Sequence, residues 1–264
     1  MVSMGFNEKK LQEVTIQSAD GTPLYGCLKK PPGDGPFPAV IFIHGGFGNN
    51  REFTQALLNW SIAGLLLQEG FLLLSTDYRV DFEGKDIDDI IAAFKYTVQL
   101  PFVDRSKVAY FGDSHGSYLA LMASPGTTPF AIVHGWGVAN LAKWYDYIKN
   151  IPAPFFQQVV KSFEEVFGGQ PGEVPEAYWQ ASVLAHVQSI KCPVLILHGD
   201  KDEEVPVAQA YELADALKKA NREFELKIFR GAGHGLRTPE VRQEMDKTVL
   251  EFFKRHLGRR DSGR

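Results

Sequence analysis

A serine, an aspartate and a histidine stand out in this sequence because each lies in a loop that follows an apolar, strand-like segment. The serine, Ser114, is the centre of Gly-Asp-Ser-His-Gly at 112–116, which follows the apolar residues 108–111 and precedes a helical pattern. A Gly-x-Ser-x-Gly turn between a strand and a helix strains its serine and exposes the hydroxyl. The pattern therefore predicts Ser114 as a nucleophile, the alternative being an ordinary turn in which Ser114 caps the helix.

A serine hydroxyl attacks a carbonyl only when a base takes its proton and a third group orients that base. Asp202 lies in the loop after the strand-like residues 193–197, and His234 lies in the loop after residues 224–229. Serine, acid and then histidine is the chain order of α/β-hydrolases. Asp200 is in the same loop as Asp202 and stays an alternative acid, whereas we expect Glu203 and Glu204 to be solvated.

Attack on a carbonyl also requires two N–H donors for the developing oxyanion. We expect one donor from the backbone of His115, the residue after the nucleophile. The second is expected from the glycine-rich loop at 44–47, from Gly46 or Phe47. This loop does not match the glycine patterns of nucleotide-binding sites. The histidines at 44, 134 and 198 each precede a glycine, and we expect them to shape loops.

Four stretches of the chain, at 44–46, 112–120, 190–206 and 233–235, resemble the catalytic domain of the prolyl oligopeptidase family and related small carboxylesterases. The resemblance implies an α/β-hydrolase fold with Ser114, Asp202 and His234 as the catalytic triad. Two features depart from the family pattern. Those peptidases carry an N-terminal propeller, and no repeats occur here; in addition, Gly116 is followed by Ser117 rather than a second glycine. Both departures count against peptidase specificity.

The elements that must position these residues follow an alternating order. Residues 13–17 and 24–28 alternate between apolar and polar and predict an antiparallel hairpin. Later apolar runs predict strands buried on both faces, with helical patterns between them; they lie at 38–43, 71–77, 108–111, 131–134, 193–197 and 224–229. We therefore expect an α/β fold with a mostly parallel central sheet flanked by helices, and functional groups at the carboxyl ends of the strands.

The chain is expected to form a single domain over 1–264, with a core at about 12–257 and a disordered tail at 258–264. Between 139 and 189 the strand pattern stops and aromatic residues crowd helical segments, which predicts an inserted helical cap. Most of these aromatics are expected to pack the cap onto the body. The candidates for lining a substrate pocket are Trp136, Phe155 and Phe156.

Composition excludes several classes of function. The net charge of −4 provides no basic field for nucleic acid, and the apolar segments are too short to span a membrane. The two cysteines cannot form a disulfide framework or a zinc site of usual spacing. The amino-terminal residues lack the apolar stretch of a secretory signal. These features predict a cytoplasmic protein without a metal or organic cofactor, and they leave its oligomeric state open.

The residues together predict a serine hydrolase that cleaves carboxylic esters of small molecules through an acyl-enzyme. The aromatic cap and the lack of an evident acidic clamp for a peptide amino terminus favour an ester. One alternative is a peptidase with the same triad, either an aminopeptidase or an acylaminoacyl peptidase. The alternative from another class is a non-catalytic binding protein with a hydrolase fold, although such proteins usually lack a triad member.

Overall fold

A computed structural model describes residues 11–46, 48, 50–82 and 84–259 of the chain. In this part of the chain, eight strands form one sheet. The strands are Gln12–Gln17 (β1), Pro23–Lys29 (β2), Phe37–Ile43 (β3), Leu72–Thr76 (β4), Val103–Asp113 (β5), Ile132–Gly135 (β6), Val194–Gly199 (β7) and Phe224–Phe229 (β8).

The strands lie side by side in the order β1-β2-β4-β3-β5-β6-β7-β8. β1 pairs with β2 and β2 pairs with β4 in antiparallel fashion, whereas the pairings from β4 through β8 are parallel. The predicted opening hairpin and mostly parallel sheet are therefore confirmed. β5 and β3 lie at the centre of the sheet, so the loops after them meet at its carboxyl edge.

Helices connect the strands and cover both faces of the sheet. They are Arg51–Leu57 (α1), Ser61–Gln68 (α2), Lys85–Gln99 (α3), His115–Ala123 (α4), Leu141–Ile148 (α5), Pro154–Phe167 (α6), Pro175–Gln180 (α7), Val183–His186 (α8), Ala208–Lys219 (α9) and Pro239–Arg259 (α10). Short 3₁₀ turns span Ser124–Gly126 and Val187–Ser189. Helices α5 to α8 lie between β6 and β7, within residues 139–189, which we call the cap segment.

Strand β3 shows why the central runs are apolar at every position. Ala39, Ile41 and Ile43 belong to the core on the face with α3 and α4, and Val40 and Phe42 belong to the core on the face with α2 and α10. Successive side chains of a strand point to opposite faces, so a strand covered on both sides needs apolar residues throughout. A hydrophobic core therefore packs against each face of the sheet, and this packing fixes the positions of the loops at its edge.

Two boundaries differ from the pattern in the sequence. The apolar residues at 53–68 have helical spacing throughout, but two helices, α1 and α2, include these residues. The chain turns at Leu58, and Trp60 takes extended backbone angles, φ −65° and ψ 151°. The helical spacing of apolar residues is the same on both sides of this turn, so the sequence pattern does not show where α1 ends and α2 begins. Helix α10 continues to Arg259, into the segment expected to be a tail, and residues 260–264 lie outside the described residues.

A membrane-spanning helix would need a long, continuous apolar stretch. Over residues 11–46, 48, 50–82 and 84–259, no helix has the length and apolarity to cross a membrane.

Both cysteines, Cys27 and Cys192, are buried as free thiols, and burial raises the pKa of Cys27 to about 12. A thiol with so high a pKa does not act as a nucleophile at neutral pH.

Candidate active site

Ser114 lies in a strained turn between β5 and α4. Its backbone has φ 53° and ψ −115°, a region that residues with a side chain rarely adopt. The neighbouring glycines are required by close contacts. A Cβ on Gly116 would lie 2.2 Å from the carbonyl oxygen of Ile43, and one on Gly112 would lie 2.4 Å from the Cα of Ser117. The Gly-x-Ser-x-Gly motif therefore folds as the predicted elbow.

The histidine and the acid predicted from the later loops meet at this elbow. His234 Nε2 lies 3.0 Å from Ser114 Oγ, and His234 Nδ1 lies 2.8 Å from Asp202 Oδ2. These three residues are far apart in sequence but come from the carboxyl ends of β5, β7 and β8. The structure thus brings together all three residues of the predicted triad in hydrogen-bonding order.

Asp202 is buried and fixed by its own loop. Its Oδ1 accepts the backbone N–H groups of Glu204 (2.9 Å) and Val205 (2.8 Å), and His198 Nε2 lies 3.3 Å from its Oδ2. Burial raises the pKa of Asp202, but the hydrogen bonds from His198 and His234, the charge of His234 and the Val205 N–H together hold it well below its ordinary value. Asp202 therefore stays ionised and orients His234.

The pKa of His234 reflects opposing influences. Burial lowers this pKa, whereas the hydrogen bond and charge of Asp202, followed by the charges of Glu204 and Asp113, raise it above its ordinary value. A raised pKa stabilises the protonated imidazolium. This is the form that a histidine takes after it has accepted the proton of a serine hydroxyl.

Asp200, the alternative acid, has a different partner. Its Oδ1 accepts the backbone N–H of Gly231 at 2.6 Å and so ties the loop after β7 to the loop after β8. The structure places Asp202, and not Asp200, on His234. Asp200 therefore connects two loops and is not the acid that contacts His234.

The glycine-rich loop after β3 borders the same cavity as the elbow. Gly46 and His115, two of the three predicted oxyanion donors, both line the cavity that contains Ser114. The hydroxyl of Tyr78 donates to the carbonyl oxygens of His44 (3.0 Å) and Gly46 (2.9 Å), which fixes this loop. Phe47, the third candidate, lies outside the described residues.

Trp136 does not line the cavity, in contrast to our expectation from the sequence. Its side chain is fully buried, its Nε1 donates to Asp113 Oδ1, and its ring centroid lies 6.5 Å from that of His234. The Asp113 carboxylate also accepts the Gly45 N–H, and burial raises its pKa. Trp136 is thus a buried neighbour of the triad that donates to Asp113, and its backbone has a left-handed φ of 42°.

The cavity above Ser114 has a volume of about 420 Å³. Phe155 and Phe156, which we expected at a pocket, line it together with further aromatic and aliphatic side chains and a few charged groups. Those additional lining residues include Phe53, Trp60, Phe82, Val138, Trp144, Glu204, Val205, Arg237 and Arg242. A largely apolar cavity with few polar groups around a nucleophile is typical of small-molecule and peptide sites.

The other loop histidines have local partners. His44 Nε2 lies 3.2 Å from Asp77 Oδ1, His134 Nδ1 donates to the Ser117 carbonyl at 3.3 Å, and His198 Nε2 donates to the Val205 carbonyl at 2.8 Å. Each of these histidines thus contacts a nearby backbone or carboxylate group, and their loop-shaping roles stay a prediction. Among the described residues, no group of three or more His, Cys, Asp or Glu side chains is arranged to hold a metal ion.

Sequence reasoning missed two features of the site. His198 supports the catalytic acid as well as its loop. Glu204 is exposed, as expected, but it also lines the cavity, with its Oε2 3.8 Å from His234 Nε2. Glu204 follows Asp202 by two positions in a loop that must bend to present its acid. The spacing of two positions was the available signal that Glu204 could lie near the site. A bend can, however, direct a side chain either toward the cavity or away from it.

Comparison with known proteins assigns this chain to a family. Residues 76–260 match the model of the prolyl oligopeptidase family. The chain belongs to the prolyl oligopeptidase family. The matched range contains all three residues of the hydrogen-bonded array, and members of this family are serine hydrolases.

Similar proteins of the family differ in length from this chain. The peptidase YuxL of Bacillus subtilis, itself uncharacterized, is 27% identical over 96% of this chain and 41% of its own length. The uncharacterized peptidase YtmA of the same organism is 26% identical over 78% of this chain and 79% of its own length. The chain therefore spans less than half of YuxL but most of YtmA.

A solved structure shares the fold over nearly the whole chain. A puromycin-hydrolyzing peptidase of Mycobacterium tuberculosis has a TM-score of 0.80 at 22% identity, covering 95% of this chain and 40% of that one. The chain thus has the α/β-hydrolase fold that its motifs resembled.

Proposed function

We propose that this protein is a serine peptidase that cleaves peptide bonds through an acyl-enzyme intermediate. The observation that carries the acyl-enzyme chemistry is the continuous hydrogen-bonded array from Ser114 Oγ through His234 to Asp202, with distances of 3.0 and 2.8 Å. Both distances lie within the reach that proton transfer between a nucleophile and its base requires.

In the first half of the reaction, Ser114 Oγ bonds to the carbonyl carbon while its proton moves to His234 Nε2. The carbonyl oxygen becomes an anion, for which the backbone N–H groups of His115 and Gly46 serve as donors. When the carbonyl re-forms, the C–N bond breaks and the departing amine takes the proton from His234. Asp202 orients the imidazole and stabilises its charged form throughout.

In the second half, water attacks the acyl-enzyme. His234 removes a proton from the water, the resulting oxyanion collapses, and the Ser114 oxygen leaves with the proton that His234 returns. The products are a carboxylic acid and free Ser114. The exposed edge of His234 within the cavity supports this role, because water must reach the imidazole after the amine has left.

Turnover of amides, and not of esters alone, distinguishes this proposal from the carboxylesterase that the sequence favoured. The relatives YuxL and YtmA and the similar structure are all named peptidases, which supports the peptidase alternative. The departure at Ser117, which counted against a peptidase, has a local explanation. Its Oγ donates within the elbow, near the carbonyls of Gly112 and Gly135, both at 2.7 Å.

The test is hydrolysis of aminoacyl and N-acyl-aminoacyl 4-nitroanilides beside 4-nitrophenyl esters from acetate to decanoate. We expect turnover of anilides, and a loss of more than about a thousandfold in Ser114→Ala. Fast ester cleavage with silent anilides would instead establish a carboxylesterase. A folded protein that is silent on both series would be the non-catalytic binding protein.

A further inference from the structure

Glu204 presents a carboxylate to the cavity from a backbone that is fixed on both sides. Its N–H donates to Asp202 Oδ1 at 2.9 Å, and its carbonyl accepts from Trp144 Nε1 at 3.0 Å. Its side chain remains 48% exposed. The carboxylate is therefore placed beside the triad and is accessible to a bound substrate.

The carboxylate of Glu204 lies no farther from the nucleophile than one bound amino acid can span. His234 Nε2 lies 3.0 Å from Ser114 Oγ and 3.8 Å from Glu204 Oε2, so the two oxygens are no farther apart than the sum of these distances. In an aminoacyl group, the α-nitrogen lies roughly 2.5 Å from the carbonyl carbon. A charge-assisted hydrogen bond adds about 2.8 Å. An α-nitrogen on the attacked residue can therefore reach Glu204.

The acidic and basic groups that line the cavity include two acids, Asp113 and Glu204, and two arginines, Arg237 and Arg242. The other acid of the lining, Asp113, is bonded to Trp136 Nε1 beneath the triad, whereas Glu204 is exposed. Of the positively charged groups, the Arg242 guanidinium lies 4.5 Å from the centroid of the Trp60 ring and donates to the Gly235 carbonyl at 3.1 Å. Glu204 is thus the acid that a substrate ammonium would meet.

We propose that Glu204 binds the α-ammonium group of the residue whose carbonyl Ser114 attacks, so that the enzyme removes single residues from free amino termini. This inference rests on the proposed peptidase function and narrows its substrate class. An α-amino group has an ordinary pKa of about 7.7–8.0 and is mostly charged at pH 7. The apolar side chains of Trp144, Val205 and Phe156 also line the cavity and suit an apolar first residue.

Glu204 also faces His234, so its removal affects the base as well as the substrate. An effect through His234 would change the cleavage of every substrate by a similar factor. An effect through a substrate ammonium would change only substrates that carry one. Matched substrates with and without the charge therefore separate the two roles.

The experiment compares leucine 4-nitroanilide with N-acetylleucine 4-nitroanilide, and leucine methyl ester with N-acetylleucine methyl ester, in wild type and Glu204→Gln. We expect wild type to prefer both free amines and Glu204→Gln to lose roughly tenfold of that preference, mainly through KM. Glu203→Gln is the matched control, because it removes the same charge one residue away. Its preference is expected to match wild type.

Each outcome has a separate meaning. Anilide cleavage without a preference for free amines, or an equal loss on acetylated substrates, would overturn the assignment of Glu204 and leave the peptidase intact. Silent anilides beside esters that show the Glu204-dependent preference would overturn the peptidase and retain the ammonium site. An enzyme that cleaves none of the four would overturn both proposals.

Discussion

The carboxyl edge of the sheet and the cap segment border the same cavity, but different interactions fix them. At the edge, polar groups with buried partners determine each position, as in the contacts of Asp202 with His234, His198 and two backbone N–H groups. In the cap segment, aromatic rings pack around Phe163. Its ring centroid lies 4.8 Å from that of Phe82, 5.5 Å from that of Phe167 and 5.9 Å from that of Trp144.

This contrast separates reaction chemistry from substrate choice. Hydrogen bonds are directional, so the edge can hold atoms at the distances that proton transfer requires. Apolar contacts depend mainly on shape and buried area, so the cap segment can line a pocket whose size changes with its side chains. We therefore expect substitutions at the edge to change the rate of reaction, and substitutions in the cap segment to change stability or substrate preference.

The largest effect is expected from Asp202→Asn, which leaves the edge in place but removes the charge that orients His234. We expect kcat/KM for a cleaved substrate to fall by about a thousandfold to ten-thousandfold. Asp200→Asn is the matched control, because Asp200 contacts Gly231 rather than His234. Steady-state kinetics with circular dichroism would check both, and a comparable loss in Asp200→Asn would contradict the assignment of the acid.

The next largest effect is expected in the cap segment. Phe163 is fully buried, so Phe163→Ala should lower the free energy of unfolding by about 3–5 kcal/mol. Phe155 lies on the same helix but is 46% exposed at the cavity. Phe155→Ala should therefore leave stability nearly unchanged and alter KM for leucyl relative to alanyl substrates. Chemical denaturation and kinetics distinguish the two, and equal destabilisation would contradict the packing described above.

A smaller effect concerns the response of the edge to acid. Burial lowers the pKa of His134 on β6 to about 4 from an ordinary value of 6.5. Between these values the unfolded chain binds a proton that the folded chain does not, so stability falls as the pH falls. The loss from this group reaches about 3 kcal/mol at pH 4.

His134→Gln tests this effect because it removes the titrating group. We expect the free energy of unfolding of the variant to fall less steeply than that of wild type between pH 6.5 and pH 4, as measured by urea denaturation. Parallel curves for the two proteins would show that His134 contributes nothing to acid sensitivity.

The edge was more predictable from sequence than the cap segment, for a physical reason. The elbow needs glycines at 112 and 116 because the backbone atoms of Ser117 and Ile43 would clash with a side chain there, and such a constraint leaves a local motif. The acid and the histidine follow recognisable strands, so their loops meet at one edge. Pairing of Asp202 with His234 could therefore be predicted without coordinates.

Side-chain direction in the loops was not predictable in this way. Trp136 and Phe155 were equal candidates for the pocket, yet Trp136, whose backbone has a left-handed φ, is fully buried, whereas Phe155 lines the cavity. Non-glycine residues rarely adopt such angles, so the sequence carries no sign of them. Glu204 likewise reaches the cavity because the loop bends after Asp202, and the bend is stabilised by the hydrogen bond from the Glu204 N–H to Asp202 Oδ1.

The central claim is that Ser114 is the nucleophile, and labelling with a fluorophosphonate tests it most directly. We predict one adduct on the peptide that contains Ser114 in wild type, no adduct in Ser114→Ala, and retained labelling in Ser117→Ala, whose hydroxyl is buried within the elbow. An adduct on a different residue, or labelling of folded Ser114→Ala at the wild-type rate, would contradict the account.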